Sequence, residues 1–133
     1  MKVHGSCHCG SIKYEAEVDP ARVTICHCTD CQQLTGSAFR VSARTLQKDF
    51  VLLAGSPSTY IKTAENGAKR AQVFCPNCGS PLYTYGLGNT ETYGLRVGCI
   101  EQRRELIPRN QSWCRSALEW AMNISDLPRQ ERE

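Results

Sequence analysis

The run Cys75-Pro76-Asn77-Cys78-Gly79 places two cysteines three positions apart around a proline and an asparagine. Proline and glycine favour a tight turn, which brings two thiols and some backbone N–H groups toward one point, as in a zinc knuckle. Two further cysteine groups lie upstream, in Cys7-His8-Cys9 and in Cys26-His27-Cys28-Thr29-Asp30-Cys31. The three groups hold seven of the nine cysteines of the chain. A closed structural zinc site uses four protein ligands and a catalytic site uses three, so seven thiols predict one site of each kind.

The same cysteines fit a disulfide framework poorly. Residues 1–6 lack the apolar segment of a secretory signal peptide, and the total number of cysteines is odd. A redox site of the thioredoxin type needs one Cys-x-x-Cys pair in a βαβ setting, and this chain has several cysteine groups and no such setting. Abundant thiols without a leader are typical of a reducing compartment, so we expect a cytoplasmic protein.

Length and charge narrow the possible functions further. A chain of 133 residues predicts a single domain over 1–133, with residues from about 124 onward forming a frayed tail. The formal charge is +3, and it falls to zero when seven thiolates hold two Zn²⁺ ions. The basic residues form no stripe with interleaved aromatic residues, and no apolar stretch reaches the length of a membrane span. We therefore expect neither a nucleic acid nor a membrane as partner.

Short alternating segments predict a mostly β domain. Residues 12–18 alternate apolar and polar side chains, which is typical of a half-buried strand. Asn66-Gly67 lies between two β-rich runs and predicts a hairpin. Further strands are predicted at 23–26, 38–42, 50–53, 58–63, 71–74, 82–85 and 93–98.

Helical signals are weak and local. Thr29 or Asp30 is predicted to cap one turn that runs through 31–34 and ends near Gly36. Residues 116–122 predict a second, late turn. The sequence therefore indicates short antiparallel strands with few short helical turns.

Four blocks of sequence, in this order and spacing, resemble the family of glutathione-dependent formaldehyde-activating enzymes. The blocks are Gly5-Ser6-Cys7-His8-Cys9-Gly10, then 26–39, then Phe74–Leu82, and finally Trp113 with Arg115-Ser116 and Trp120. The resemblance covers most of the chain. It implies a compact β-tent with two zinc sites and an enzyme that adds the thiol of glutathione to formaldehyde. Such an enzyme is a carbon–sulfur lyase, and its partner is glutathione or another small thiol.

The resemblance also assigns roles to individual residues. It implies a structural zinc held by Cys7, Cys9, Cys75 and Cys78, and a catalytic zinc at an open site held by Cys26, Cys28 and Cys31. This partition agrees with the count of seven thiols. In the family, the stretch after the middle cysteines borders the open zinc. The implied walls of the pocket are therefore Gln32, Gly36, Ser37 and Phe39.

Alternatives remain open for several of these residues. The three-cysteine group could be a second closed site whose fourth ligand is Cys99, His27 or Cys114. His8 and His27 are predicted to point away from the sulfurs, because side chains alternate along a strand. Arg40, Arg44, Lys69 and Arg96 could pair with the carboxylates of glutathione, but we predict each as a solvated surface charge. The predicted role of Tyr83, Tyr85, Tyr93, Trp113 and Trp120 is packing.

Two functions other than catalysis fit the same pattern. Similar β-tent zinc domains serve as protein-interaction modules in which zinc is structural only. A chromatin or cytoskeletal partner, as for centromere-associated relatives, ranks last because this chain lacks the extra basic regions of those relatives. An exchangeable ligand on the second zinc would separate the enzyme from the interaction module.

Overall fold

Eight β-strands form one sheet in the computed structural model, which describes residues 1–133. The strands follow the order β1-β2-β3-β7-β6-β5-β4, and β8 pairs with β2. Every pairing is antiparallel except that of β8 with β2. Their bounds are β1 (Lys2–Ser6), β2 (Lys13–Cys26), β3 (Arg40–Ala54), β4 (Ser58–Thr63), β5 (Lys69–Phe74), β6 (Pro81–Gly86), β7 (Asn89–Arg96) and β8 (Asn110–Ser112). The mostly β prediction is confirmed.

Helical structure is limited to one short helix and a series of 3-10 turns. Helix α1 spans Thr29–Thr35 between β2 and β3. The 3-10 turns span Val97–Cys99, Arg103–Glu105, Cys114–Ser116, Glu119–Met122 and Ile124–Asp126. Residues 127–133 are exposed and form no regular element. No helix has the length and apolar character needed to cross a membrane.

One face of the sheet packs into the hydrophobic core. In β2 the side chains of Tyr14, Ala16 and Val18 are buried, and those of the alternate residues Lys13 and Glu17 are exposed. The ring centroid of Phe50 lies 5.0 Å from that of Tyr14, 4.8 Å from that of Tyr83 and 5.3 Å from that of Tyr93. The remaining core is mostly aliphatic and comprises Val3, Ile12, Val23, Ala43, Val73, Leu82, Leu95, Val97, Ile100 and Leu106 together with Cys7 and Cys75.

The opposite face of the central strands is polar, and we call it the polar face. The strand pairings place Ser42 beside Arg96, Arg44 beside Gly94, Thr84 beside Gly94, and Gln72 beside Thr84. Because neighbouring side chains in a strand point to opposite sides, these residues share the face turned away from Ala43 and Leu95. The polar face comprises Arg40, Ser42, Arg44, Arg70, Gln72, Thr84, Gly86, Gly94 and Arg96.

Candidate functional site

Four cysteines from two distant parts of the chain meet beside the core. The sulfurs of Cys7, Cys9, Cys75 and Cys78 all lie within 4.8 Å of one another. Cys7 and Cys9 follow β1, and Cys75 and Cys78 lie in the connection between β5 and β6. The Sγ atoms of Cys9 and Cys75 are 3.7 Å apart, although 66 positions separate the two residues. Cys7 and Cys75 are buried, and Cys9 and Cys78 are exposed.

The two pairs of cysteines sit in similar tight turns. Gly10 and Gly79 both have positive φ, and their backbone N–H groups donate to the carbonyls of Cys7 at 3.1 Å and Cys75 at 2.8 Å. The backbone N–H of Ile12 donates to Sγ of Cys7 at 3.3 Å. Such donors favour the negatively charged sulfur, which is the form that binds a metal.

Serine hydroxyls reinforce the same preference for thiolates. Hydrogen bonding to the Ser11 side chain, 3.1 Å away, lowers the pKa of Cys9 to about 5. Hydrogen bonding to Ser80, 3.2 Å away, lowers the pKa of Cys78 to about 7. The Ser80 hydroxyl also accepts a hydrogen bond from the backbone N–H of His8 at 3.0 Å, which ties the two turns together. This four-sulfur group fits a closed, structural metal site.

The second cluster lies where β2 meets helix α1. The sulfurs of Cys26, Cys28 and Cys31 lie within 4.8 Å of one another. Cys26 ends β2, Cys28 is the N-cap of α1, and Cys31 lies in its first turn. A hydrogen bond from the Cys31 thiol lowers the pKa of Cys26 to about 4, and donating that hydrogen bond raises the pKa of Cys31. The three thiols thus form one coupled group.

Helix α1 fixes two of these sulfurs. Cys28 is extended, with ψ of 155°, and its Sγ accepts the backbone N–H of Cys31 at 3.3 Å. The cap expected at Thr29 or Asp30 is therefore wrong, because the sulfur of Cys28 takes the capping position. The helix ends, as expected, near Gly36, which has φ of 64° and donates its N–H to the carbonyl of Gln32.

None of the three residues considered as a fourth ligand joins this cluster. His27 is buried, and its Nε2 lies 2.8 Å from Oε1 of Gln111. The Sγ of Cys99 lies 3.2 Å from the carbonyl oxygen of Pro81. Cys114 is exposed. The group of donor atoms within 4.8 Å contains three sulfurs and no further histidine, cysteine or carboxylate. A donor set of three sulfurs is the number that catalytic zinc sites use, whereas structural sites use four.

A cavity of about 1210 Å³ adjoins Cys26 and Cys28. It lies over the polar face and also contacts the chain around Trp113. Trp113 has φ of 56°, and the Arg115 guanidinium lies 5.0 Å from the centre of its ring. Trp113 and Trp120 are 45% and 62% exposed, so their expected role in packing is wrong. Trp113 directly precedes the 3-10 turn Cys114–Ser116, and Trp120 lies in the turn Glu119–Met122.

The four residues implied as pocket walls lie outside the lining of this cavity. The Gln32 side-chain amide donates to the carbonyls of His27 and Ser116, both at 3.0 Å. Phe39 packs edge-on against His27, with ring centroids 5.5 Å apart. Gly36 caps α1, and the backbone N–H of Ser37 donates to Oγ1 of Thr35. The structure places none of the four on the wall of the large cavity.

Other arginine side chains line the cavity instead. Arg96, which belongs to the polar face but does not line the cavity, corrects an expectation. Arg96 is 6% exposed, so it is not a solvated surface charge. It donates to Oγ of Ser42 at 3.3 Å and to Oε1 of Gln72 at 2.9 Å, and burial lowers its pKa to about 9. Arg40 is half-buried, while Arg44 and Lys69 are exposed as expected. Arg96 differs because β7 is central in the sheet and neighbouring strands cover its side chain.

Other cavity residues were not singled out from the sequence. They are chiefly Arg22, Lys62, Arg70 and Arg115. The alternation of Arg40 and Ser42 in the strand predicted at 38–42 is the available signal for a polar face; Arg44 lies beyond that predicted strand and belongs to the longer β3. The pairing of β3 with β7 across about 50 residues was not readable from the sequence.

Residues 2–116 match the family model described as "Glutathione-dependent formaldehyde-activating enzyme". A curated relative, "Uncharacterized lyase C29B12.13" of Schizosaccharomyces pombe, is 29% identical over 79 residues. That alignment covers 59% of this chain and 54% of the relative, so the chain spans about half the length of the curated relative that it matches. A crystal structure of a Rhodobacter sphaeroides protein, a structural genomics target, superposes with a TM-score of 0.62 at 26% identity. It covers 84% of this chain and 100% of that one.

Proposed function

The chain belongs to the family of glutathione-dependent formaldehyde-activating enzymes, and from that premise we propose that it is a zinc-dependent carbon–sulfur lyase. Its reaction would join the thiol of glutathione, or of a similar small molecule, to formaldehyde. The observation that supports this most directly is the cluster of Cys26, Cys28 and Cys31, which lacks a fourth protein donor and adjoins a large cavity.

Both cysteine clusters fit zinc by the chemistry of their donors. Thiolate sulfur is a preferred zinc ligand, and four sulfurs form a closed tetrahedral site whereas three leave a position open. We assign the closed, structural role to Cys7, Cys9, Cys75 and Cys78. We assign the open role to the other cluster, where a bound zinc would deprotonate an incoming thiol and could polarise an aldehyde.

The residues of the chain would prepare this site in three ways. The N-cap of α1 fixes Cys28 and Cys31 relative to each other, so the two ligands are ordered before the metal binds. The half-buried position of Cys26 and Cys28 leaves the sulfurs accessible from the cavity. Positive side chains such as Arg40 favour negative charge on the sulfurs, and Arg40 acts to lower the pKa of Cys31 against the larger effect of its hydrogen bond to Cys26. No separate covalent nucleophile is required.

A glutathione titration of cobalt-substituted protein tests the open position. We expect the cobalt–thiolate absorption to rise and to saturate at one glutathione per chain. The matched variants are Cys28→Ser, which should lose the response, and Cys114→Ser, which should keep it because Cys114 is exposed and lies outside both clusters. No change in a protein with cobalt at both sites would contradict the proposal and favour an interaction module with structural zinc only.

Turnover needs its own measurement, because formaldehyde also reacts with thiols unaided. Exchange spectroscopy with ¹³C-formaldehyde and glutathione at equilibrium reports the rate at which the adduct forms and breaks. We expect the zinc-loaded protein to accelerate this exchange and Cys28→Ser to leave it at the rate without protein. Equal rates with the unaltered protein and with Cys28→Ser would contradict the enzyme proposal.

A further inference from the structure

The cavity beside the three-cysteine cluster carries an excess of positive charge. Six basic side chains line it, against the two carboxylates of Asp30 and Glu65, which leaves four positive charges. One carboxylate is already engaged, because Oδ2 of Asp30 lies 2.9 Å from Nζ of Lys62. Three thiolates with one Zn²⁺ carry a net charge of −1, so the ion and its ligands neutralise only part of this excess. The basic residues are Arg22, Arg40, Arg44, Lys62, Arg70 and Arg115.

The arginines of the polar face, among them Arg40, Arg70 and Arg96, have no carboxylate partner in the fold. The four ion pairs of the protein involve Met1, Lys2, His4 and Lys62 and no arginine. Nη1 of Arg40 is buried without a hydrogen-bond partner, and so is Nε of the buried Arg96. Burial, followed by the charges of Arg40 and Arg44, lowers the pKa of Arg70, so the three guanidinium groups repel one another. Uncompensated buried charge is costly, and a bound anion would remove that cost.

The polar face leaves room for such an anion. Arg40 and Arg44 lie on β3 and Arg70 lies on β5, with β7 and β6 between them. Three strand spacings of about 4.8 Å separate the two rows, which opposing arginine side chains can reach across. Between the rows, β6 and β7 present the small residues Thr84, Gly86 and Gly94 on this face, together with the buried Arg96 beside Ser42. Ser42, Arg44 and Arg70 line the same cavity as Cys26 and Cys28.

We propose that Arg40, Arg44 and Arg70 form an anion subsite, which selects a small molecule carrying at least two anionic groups and orients it toward the three-cysteine cluster. The assignment rests on the proposed function for the direction of binding, and it adds the charge class of the substrate and the residues that select it. Guanidinium groups bind carboxylate and phosphate alike through paired hydrogen bonds, so the shared requirement is an oxyanion. The buried Arg96, on the same face, adds positive charge beside Ser42 and Gln72.

The test measures binding without any free thiol. The dissociation constant of S-methylglutathione, which has two carboxylates and no free thiol, is determined calorimetrically for the zinc-loaded protein. Its diethyl ester, which keeps the amino group but has no carboxylate, is the comparison, and inorganic phosphate is added as a competitor. The variants are Arg44→Gln and Arg70→Gln, and the matched control is Arg104→Gln, an exposed arginine outside the cavity. Arg44 is itself exposed, so Arg44→Gln leaves the core intact.

We expect each of the two cavity variants to weaken S-methylglutathione binding about tenfold, with no change in the control variant. The ester should bind weakly to all proteins, and added salt should weaken the binding of the acid. Competition by phosphate would identify a phosphate-bearing class of substrate, and retained carboxylate binding without competition would identify a carboxylate-bearing class. Equal affinity of acid and ester, or equal behaviour of the cavity and control variants, would overturn the proposal.

Failure of this inference is distinguishable from failure of the proposed function. The cobalt absorption reports whether a thiol reaches the metal, while S-methylglutathione reports only the anion subsite. A protein that binds S-methylglutathione through Arg44 and Arg70, but shows no cobalt response to glutathione, would keep the subsite and lose the thiol chemistry. A cobalt response to glutathione that is unaltered in both arginine variants at every glutathione concentration would keep the thiol chemistry and overturn the subsite.

Discussion

Gly5 and Tyr14 show how closely individual residues are fitted at the edge of the core. They face each other across β1 and β2, and a Cβ added at Gly5 would overlap the ring of Tyr14. Tyr14 is 1% exposed and also packs on Phe50, so its ring has no space into which to move. Glycine at position 5 is therefore a packing requirement, and no periodic pattern in the sequence reveals it.

We expect Gly5→Ala to lower the free energy of unfolding by about 3 kcal/mol, the upper end of the usual cost of overpacking. Thermal unfolding should show a fall in Tm of about 10 °C for a domain of this size. Gly98→Ala is the matched control, because a Cβ there meets nothing within 4 Å. A Gly5→Ala protein as stable as the control would show that Tyr14 can be displaced at little cost.

Cys28 carries two functions, since its sulfur is both a proposed metal ligand and the cap of α1. Serine is itself a good N-cap, so Cys28→Ser should keep the helix and remove the metal ligand. We expect one zinc per chain instead of two by elemental analysis, with Tm changed by only a few degrees. Loss of both zinc ions together would show that the two clusters form one structural unit.

Helix α1 is the element that positions the three-cysteine cluster, and its end depends on one backbone conformation. Gly36 has φ of 64° and meets no neighbouring atom that would exclude a Cβ. Gly36→Ala should therefore cost only the left-handed strain, about 1 kcal/mol, measured by denaturant unfolding. Gly88→Ala, at a position with open space and no positive φ, is the control. A cost as small as that of the control would mean that the helix ends without this cap.

At the level of elements, local spacing predicted more than long-range pairing. The cysteine groups and the end of α1 near Gly36 follow from residues within a few positions of one another. The short strands predicted at 12–18 and 23–26 are wrong as separate elements, because they join in the 14-residue β2, and those predicted at 38–42 and 50–53 join in the 15-residue β3. The parallel pairing of β8 with β2 joins residues about 86 positions apart, and a three-residue strand carries no pattern of its own. The pocket-wall candidates are what the resemblance implies for the stretch after the middle cysteines, whereas much of the cavity wall comes from distant strands such as β3, β5 and β7.

Across the whole molecule, the four-cysteine cluster links β1 at one edge of the sheet to β5 and β6 near the other edge. Cys7 and Cys9 follow the edge strand β1, and Cys75 and Cys78 join β5 to β6. A structural zinc in such a position contributes on the order of 10 kcal/mol, which is comparable to the total stability of a domain.

We therefore expect Cys78→Ser to leave the domain unfolded, with a circular dichroism spectrum that lacks the β signal. Cys114→Ser should fold normally and serves as the control. Because a structural zinc is also lost to strong chelators, prolonged chelation of the unaltered protein should give the same spectrum. A well-folded, zinc-depleted Cys78→Ser protein would refute the structural role of this cluster.

Protein synthesis completes the two clusters at different times, because a ribosome makes the chain from its N-terminus. The last ligand of the three-cysteine group is residue 31, and the last of the other group is residue 78, which follows 47 positions later. During that interval Cys7 and Cys9 have no partners and share the nascent chain with Cys26, Cys28 and Cys31. An ion captured early can thus meet combinations of sulfurs that the finished fold keeps apart, and correct loading then requires the ligands to exchange once β5 and β6 have formed.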